Sequence, residues 1–217
     1  MYDTPVSVKV WGEFACFTRP EMKAERVTYP VMTPSAARGV FEAIFWKPEF
    51  TWVIRHIKVL KPINYFSILR NEVNTRASDR SARNWHKSGG GFYASEDRAQ
   101  RNTLALRDVA YEISAEIELK PGVTDDPAKY RDQFRRRVMR GQCFSQPYLG
   151  CREFTASFGE IEPTDVAEGG TMELGRMLHD LIYAPDRSGS ATPSFFTARL
   201  ENGVLRIPPW NGARDAA

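Results

Sequence analysis

Two alternating apolar runs and two helix-length segments, each opened by a capping side chain followed by proline, predict an α+β fold for this chain. The first run is Val6, Val8 and Val10, which alternate with Ser7, Lys9 and Trp11 and end at Gly12. The second is Val109, Tyr111, Ile113, Ala115, Ile117 and Leu119, alternating with Asp108, Ala110, Glu112, Ser114, Glu116 and Glu118. The helices open at Thr33-Pro34 and at Asp126-Pro127, where a side-chain oxygen accepts from the free N–H groups of the first turn and proline suits the first position.

Taken in order, the chain starts with the Val6–Val10 strand, and residues 13–32, with Pro20 and Pro30, read as irregular. The first helix presents Ala37, Val40, Phe41, Ile44 and Phe45 on one face and closes at Lys47-Pro48. Trp52 to Lys61 is rich in β-branched residues and reads as a strand ended by Pro62. From Arg70 to Arg107 no period is visible. That stretch holds eight Lys/Arg against four Asp/Glu and the run Gly89-Gly90-Gly91, and it reads as a functional or disordered loop that orders on a ligand. After the 109–119 strand, the second helix carries Tyr130, Phe134 and Val138 at spacing four and stops at Gly141. Phe154, Ala156 and Phe158 suggest a fourth strand.

The order is therefore strand, helix, strand, insertion, strand, helix, strand: the βαββαβ order of a ferredoxin-like domain, also used by RNA-recognition (RRM-like) modules. It covers residues 1–161, with a basic insertion at 70–107, and leaves 162–217 as a β-rich C-terminal extension. There, Leu174–Tyr183 fits helix or strand, Phe195–Ile207 fits a hairpin turning at Asn202-Gly203, and the tail from Pro208 reads as frayed. Fold alone does not fix function.

Composition narrows the options. The chain has 217 residues, 42% of them apolar, enough for a real core, and a net charge of +3. Three cysteines with no CxxC pair (Cys16, Cys143 and Cys151) fit a reducing cytoplasm better than a disulfide scaffold or a zinc site. No apolar run approaches ~18 residues, so no membrane span is expected. Phosphate-loop, HExxH and GxSxG motifs are missing, so neither a metal nor another cofactor is expected.

The positive charge is concentrated. Between Pro127 and Arg152 seven cations (Lys129, Arg131, Arg135, Arg136, Arg137, Arg140 and Arg152) face one anion, Asp132, giving about +6. Like charges at helical spacing repel, and a polyanion relieves them. An aromatic-Pro-Gly turn follows (Phe144, Pro147, Tyr148, Gly150), and together these point to nucleic acid. Lys129 and Tyr130 stand in the first helical turn, where the helix dipole favours a phosphate. Metal-free RNA cleavage needs a group to take the 2′-proton, one to protonate the leaving 5′-oxygen, and cations for the pentavalent phosphate. Tyr130 also belongs to the apolar stripe with Phe134, and spacing alone does not separate the two roles. His56 and His179 read as structural. His86, beside Lys87 in the insertion, is a further candidate for proton transfer.

Four segments carry a resemblance: V-W-G-E-F-A-C-F-T-R-P-E from Val10, T-P-S-A-A-R-G-V-F-E-A-I-F-W-K-P from Thr33, R-A-Q-R-N-T-L-A-L-R-D-V from Arg98, and R-R-R-V-M-R-G-Q-C-F-S-Q-P-Y-L-G-C-R-E-F from Arg135. In this order they resemble the Cas-five family of CRISPR-associated proteins, in its type I-C variant, over nearly the whole chain. The resemblance implies metal-independent cleavage of CRISPR repeat RNA to a 2′,3′-cyclic phosphate. It further implies retention on the 5′ handle of the crRNA beside the backbone and large subunits of the Cascade complex, with duplex DNA as a further ligand. A non-catalytic crRNA-binding scaffold and a general duplex-DNA binder are the alternatives. Relatives place a tyrosine just before the Trp-Lys-Pro that closes the first helix, where this chain has Phe45. They place a Lys-His pair where it has Lys129-Tyr130. On this reading Lys129 holds the scissile phosphate and Tyr130 is the proton-transfer group or the 2′-hydroxyl partner, with His86, Lys47 and Tyr29 in reserve. Arg131, Arg135, Arg136, Arg137, Arg140, Lys47 and Arg152 are the expected RNA contacts.

Overall fold

The computed structural model describes residues 5–22, 24–75, 78–91, 93–168, 170–184 and 189–209. These form one eight-stranded sheet and three helices. The elements are β1 (Val6–Ala15), α1 (Pro34–Ile44), β2 (Phe50–Val59), β3 (Tyr65–Val73), α2 (Asp79–Ser88), β4 (Arg98–Leu119), α3 (Pro127–Met139), β5 (Ser157–Gly159), β6 (Met172–Tyr183), β7 (Ala191–Glu201) and β8 (Val204–Arg206). The strand order is β5-β1-β4-β2-β8-β7-β6, with β3 also on β4 and every paired neighbour antiparallel.

Each sequence signal for an element has a physical counterpart. In β1, Val6, Val8 and Val10 are buried, while Trp11 on the other face is exposed. Thr33 caps α1 by accepting from the Ala36 N–H, and Asp126 caps α3 by accepting from the Ala128 N–H at 2.8 Å. Both helices lie against the sheet, α1 on β2 and β6, α3 on β4, β1 and β5, and they touch each other. Their contact is aromatic. Phe41 stacks on Phe134 with centroids 4.7 Å apart, and Trp52 of β2 meets both rings at 4.9 Å. Such pairs add about 0.5–1.5 kcal/mol each beyond the area they bury.

Three readings need correction, and one left open is settled. The Arg70–Arg107 stretch is not a loop. β3 and the first half of β4 pair from Tyr65↔Leu106 to Val73↔Arg98, and α2 caps the ribbon. No β3 residue is fully buried and α2 buries none, which is why no hydrophobic period announces them. The hairpin's inner charges are held by ion pairs: Arg26–Glu72 at 3.4 Å, Arg70–Glu72 at 3.5 Å, Arg101–Glu72 at 3.6 Å and Arg26–Glu153 at 3.2 Å. Second, β4 starts at Arg98 and runs for 22 residues. It passes through Asp108, whose φ of 52° marks the place where β3 replaces β2 along its edge. Third, the strand expected around Phe154 is only Ser157–Gly159. Fourth, Leu174–Tyr183 belongs to a strand, β6.

The turn at Asn202-Gly203 stands as read, with φ of 49° and 76°, the paired positive values a two-residue hairpin turn requires. It joins β7 to β8, and β8 pairs with β2, so the C-terminal extension continues the same sheet. The tail beyond Pro209 lies outside the described residues. All three cysteines are free thiols. Among the described residues no helix is long and apolar enough to cross a membrane.

Candidate nucleic-acid interface

The N-terminus of α3 gathers three side chains. Asp125 precedes the cap, and its carboxylate lies 2.5 Å from the Lys129 ammonium and accepts the Tyr130 hydroxyl. Lys129 also stands 4.7 Å from the centre of the Tyr130 ring. The bond to Asp125 raises the pKa of Lys129 and that of Tyr130 above their ordinary values. The hydrogen bonds from Lys129 and then Tyr130 lower that of Asp125. At neutral pH the cluster is an ammonium, a neutral phenol and a carboxylate. It can offer positive charge and a proton, and its tyrosine is a poorer base than a histidine near ~6.5.

The Tyr130 ring is buried, 4% exposed, against Phe50 at 4.9 Å and Phe45 at 6.5 Å. Both readings of Tyr130 therefore describe the same residue: its ring belongs to the core and its hydroxyl reaches the polar cluster. Phe45, the C-cap of α1, is fully buried, and its carbonyl accepts from Trp52 Nε1 at 2.8 Å. The fold thus brings Phe45, Lys129 and Tyr130 together from two helices.

The other candidates separate into places. Arg136 and Arg140 are exposed near the C-terminal end of α3, Lys47 is exposed after α1, and none of the three makes an ion pair with another described residue. Arg135 is exposed and lies 3.6 Å from Asp132. Arg137 ties α3 to the end of α1. Its Nη1 donates to the Ile44 carbonyl at 2.7 Å, and its guanidinium lies 5.2 Å from the Phe45 ring centre. Arg131 is only 8% exposed, so it is not on the surface an RNA would meet. Arg152 is exposed next to Glu153, which pairs with Arg26 and Arg70, and lies outside α3. His86 is exposed on α2. Its helix follows the β3–β4 ribbon at the end away from Leu119, and among the described residues no hydrogen bond, ion pair or ring contact joins His86 to Lys129 or Tyr130. The structure does not bring His86 to Lys129. Tyr29 is fully buried and its hydroxyl accepts from the Leu178 N–H, so it is withdrawn as a reserve as well.

Sequence reasoning missed Asp125, although an acid four residues before Lys129 was a legible i,i+4 signal. It also passed over Trp46, which is 53% exposed. Among the described residues no cluster of His, Cys, Asp and Glu is placed to hold a metal ion.

Comparison with known proteins gives the chain a family. The family model described as CRISPR-associated protein (Cas_Cas5) matches residues 6–208. A protein of Thermus thermophilus named CRISPR pre-crRNA endoribonuclease Cas5d is 45% identical over 219 residues, covering 94% of this chain and 91% of that protein. One of the same name from Mannheimia succiniciproducens is 44% identical, covering 94% and 95%. A solved structure titled as a CRISPR-associated protein shares the fold at a TM-score of 0.67 with 24% identity, over 96% of this chain and 94% of that one. A functionally uncharacterized protein from Streptococcus mutans does so at 0.66 with 24% identity, over 96% and 95%. On the family match and the two relatives, the chain belongs to the Cas5d family of CRISPR-associated proteins.

Proposed function

We propose that this chain cleaves CRISPR repeat RNA (pre-crRNA) without a metal ion, leaving a 2′,3′-cyclic phosphate, and stays on the 5′ handle as a subunit of the surveillance complex. The observation that carries the reading is the Asp125–Lys129–Tyr130 cluster at the N-terminus of a basic helix, in a chain 45% identical to a named pre-crRNA endoribonuclease. Lys129, with the positive end of the helix dipole, stabilises the extra negative charge of the pentavalent phosphate. Tyr130 donates its proton to the leaving 5′-oxygen. The proton of the attacking 2′-hydroxyl leaves to water, because Lys129 and Tyr130 both keep theirs at neutrality and Asp125 is a weak base. Arg136, Arg140, Arg135 and Lys47 neutralise the RNA backbone.

The same reading takes β1, α1, β2, β4, α3 and β5 as a ferredoxin-like core within residues 1–161, and 162–217 as its extension. The strand order β5-β1-β4-β2, antiparallel throughout with α1 and α3 packed together on it, supports this. A second reading, a crRNA-binding scaffold that does not cut, draws on the buried Phe45, which has no hydroxyl to offer.

One experiment separates them: labelled cognate repeat RNA incubated with the purified protein in EDTA. We expect a single cut with a 2′,3′-cyclic phosphate end. Tight binding without any cut would establish the scaffold reading, and equal affinity for unrelated duplex DNA would favour the general binder.

A further inference from the structure

The C-terminal ends of α1 and α3 converge on a surface that holds large apolar side chains in water. Phe144 is 81% exposed, Met139 65% and Trp46 53%. None of this is slack chain. The Phe144 and Ser145 N–H groups both donate to the Ala43 carbonyl, at 2.8 and 3.1 Å, and Arg137 bonds the next carbonyl, that of Ile44, at 2.7 Å. The backbone around Phe144 is therefore pinned to the end of α1, three residues before Trp46. Trp46 in turn follows Phe45, whose ring lies between Tyr130 at 6.5 Å and the Arg137 guanidinium at 5.2 Å. Lys47 follows Trp46 directly, and Arg136 and Arg140 lie in the last turn of α3 and at its C-cap; all three are exposed and without an ion pair to another described residue. Exposed rings at the joined ends of two helices that also carry unpaired cations suit an unstacked nucleobase strand whose phosphates meet the cations. A protein partner would more often be met by an apolar centre within a neutral polar rim.

We propose that Trp46 and Phe144 are stacking platforms for unpaired bases of the repeat RNA, and that they position the strand so that its scissile phosphate falls at Lys129. The proposal rests on the RNA-cleaving reading above and adds its base-contacting residues. The spacing fits. Eleven helical residues separate Lys129 from Arg140, about 16 Å at ~1.5 Å per residue, which a stacked strand at roughly 3.4 Å per nucleotide covers in about five nucleotides or fewer. Because any base has a face to stack, these rings set the register of the strand without reading its sequence by hydrogen bonds.

The test uses repeat RNA carrying 2-aminopurine at successive positions near the cut, with wild type, Trp46→Leu, Phe144→Leu and Phe144→Tyr, in EDTA. Leucine keeps the apolar bulk and removes the ring, whereas tyrosine keeps the ring. We expect the wild type to quench the probe at one or two positions within about five nucleotides of the cut. Each leucine variant should lose its own quench and bind about tenfold more weakly, and Phe144→Tyr should behave as wild type. Both sites are exposed, so the melting temperature should not change. Wild-type affinity and quench in both leucine variants would overturn the proposal. So would unchanged RNA binding combined with failure to assemble with the other subunits, which would mark a protein interface. The outcome is separable from the catalytic reading: quenching without cleavage would leave the platforms and remove the catalysis, and cleavage without quenching would do the reverse.

Discussion

Tyr130 serves two structural demands at once, and each has a separate consequence. Its ring is packed between Phe45 and Phe50, and its hydroxyl is bonded to Asp125. Tyr130→Phe keeps the packing and removes only the donor. We expect it to slow single-turnover cleavage by ~100-fold or more, within the usual range for loss of a positioned acid, with the melting temperature nearly unchanged. A wild-type rate in that variant would restrict Tyr130 to the core. The pKa directions also fix the shape of the pH profile. Lys129 and Tyr130 both hold their protons above their ordinary values, so neither titrates near neutrality. The log of the rate should then climb through neutral pH with no inflection near ~6.5, and fall only above about 10. Tyr130→His should introduce an inflection near ~6.5. A wild-type profile that already bends there would mean that another group, a histidine first of all, handles the proton.

At the scale of elements, α3 divides its arginines between two jobs. Arg136 and Arg140, like Lys47 after α1, make no ion pair with another described residue, whereas Arg137 fastens α3 to the end of α1. Replacing Lys47, Arg136 and Arg140 with alanine should flatten the log–log salt dependence of RNA binding by about 2 in slope, at ~0.7 per phosphate contact. Stability should stay within about 0.5 kcal/mol for each such surface change. Arg137→Ala should do the opposite, lowering the melting temperature with less effect on the slope. The sequence could not make this division. Five arginines in ten residues are visible as charge, but which one meets the Ile44 carbonyl depends on where α1 ends in space. Arg131 shows the same limit: it lies one residue from the Tyr130 stripe, and the packing of α3 buries it at 8% exposure.

Across the whole molecule, what was legible follows burial. Val6–Val10, the Thr33 and Asp126 caps, the Tyr130–Phe134–Val138 stripe and the Asn202-Gly203 turn all face one core or obey one backbone rule, so a single chain carries their signal. The β3–β4 ribbon meets that core only at its near end, through Phe66, Ala105 and Leu106. Farther out its inner face is held by Arg26, Arg70, Arg101, Glu72 and Glu153 rather than by apolar residues, and so it read as a loop. Phe45 and Lys129 are more than eighty residues apart in the chain, and only the fold shows that they adjoin one cluster. The hairpin's independence is testable. α2 buries no residue, and the Asn74 N–H bonds the Asp97 carbonyl across its base. Replacing residues 75–96 with a two-residue turn should leave the melting temperature within a few degrees of wild type. A large loss would show that α2 supports the core.

The central claim is that Lys129 stabilises the transition state of RNA cleavage more than it holds the RNA. The most direct measurement compares wild type with Lys129→Ala in EDTA on cognate repeat RNA, reading the single-turnover rate and the dissociation constant in parallel. Lys129 is exposed, so the variant should fold as wild type. We predict a rate lower by ~100-fold or more, as when a preorganised charge is removed, with affinity reduced only a few-fold. Cleavage by the variant at the wild-type rate, or a wild type that cuts only when magnesium is supplied, would contradict it.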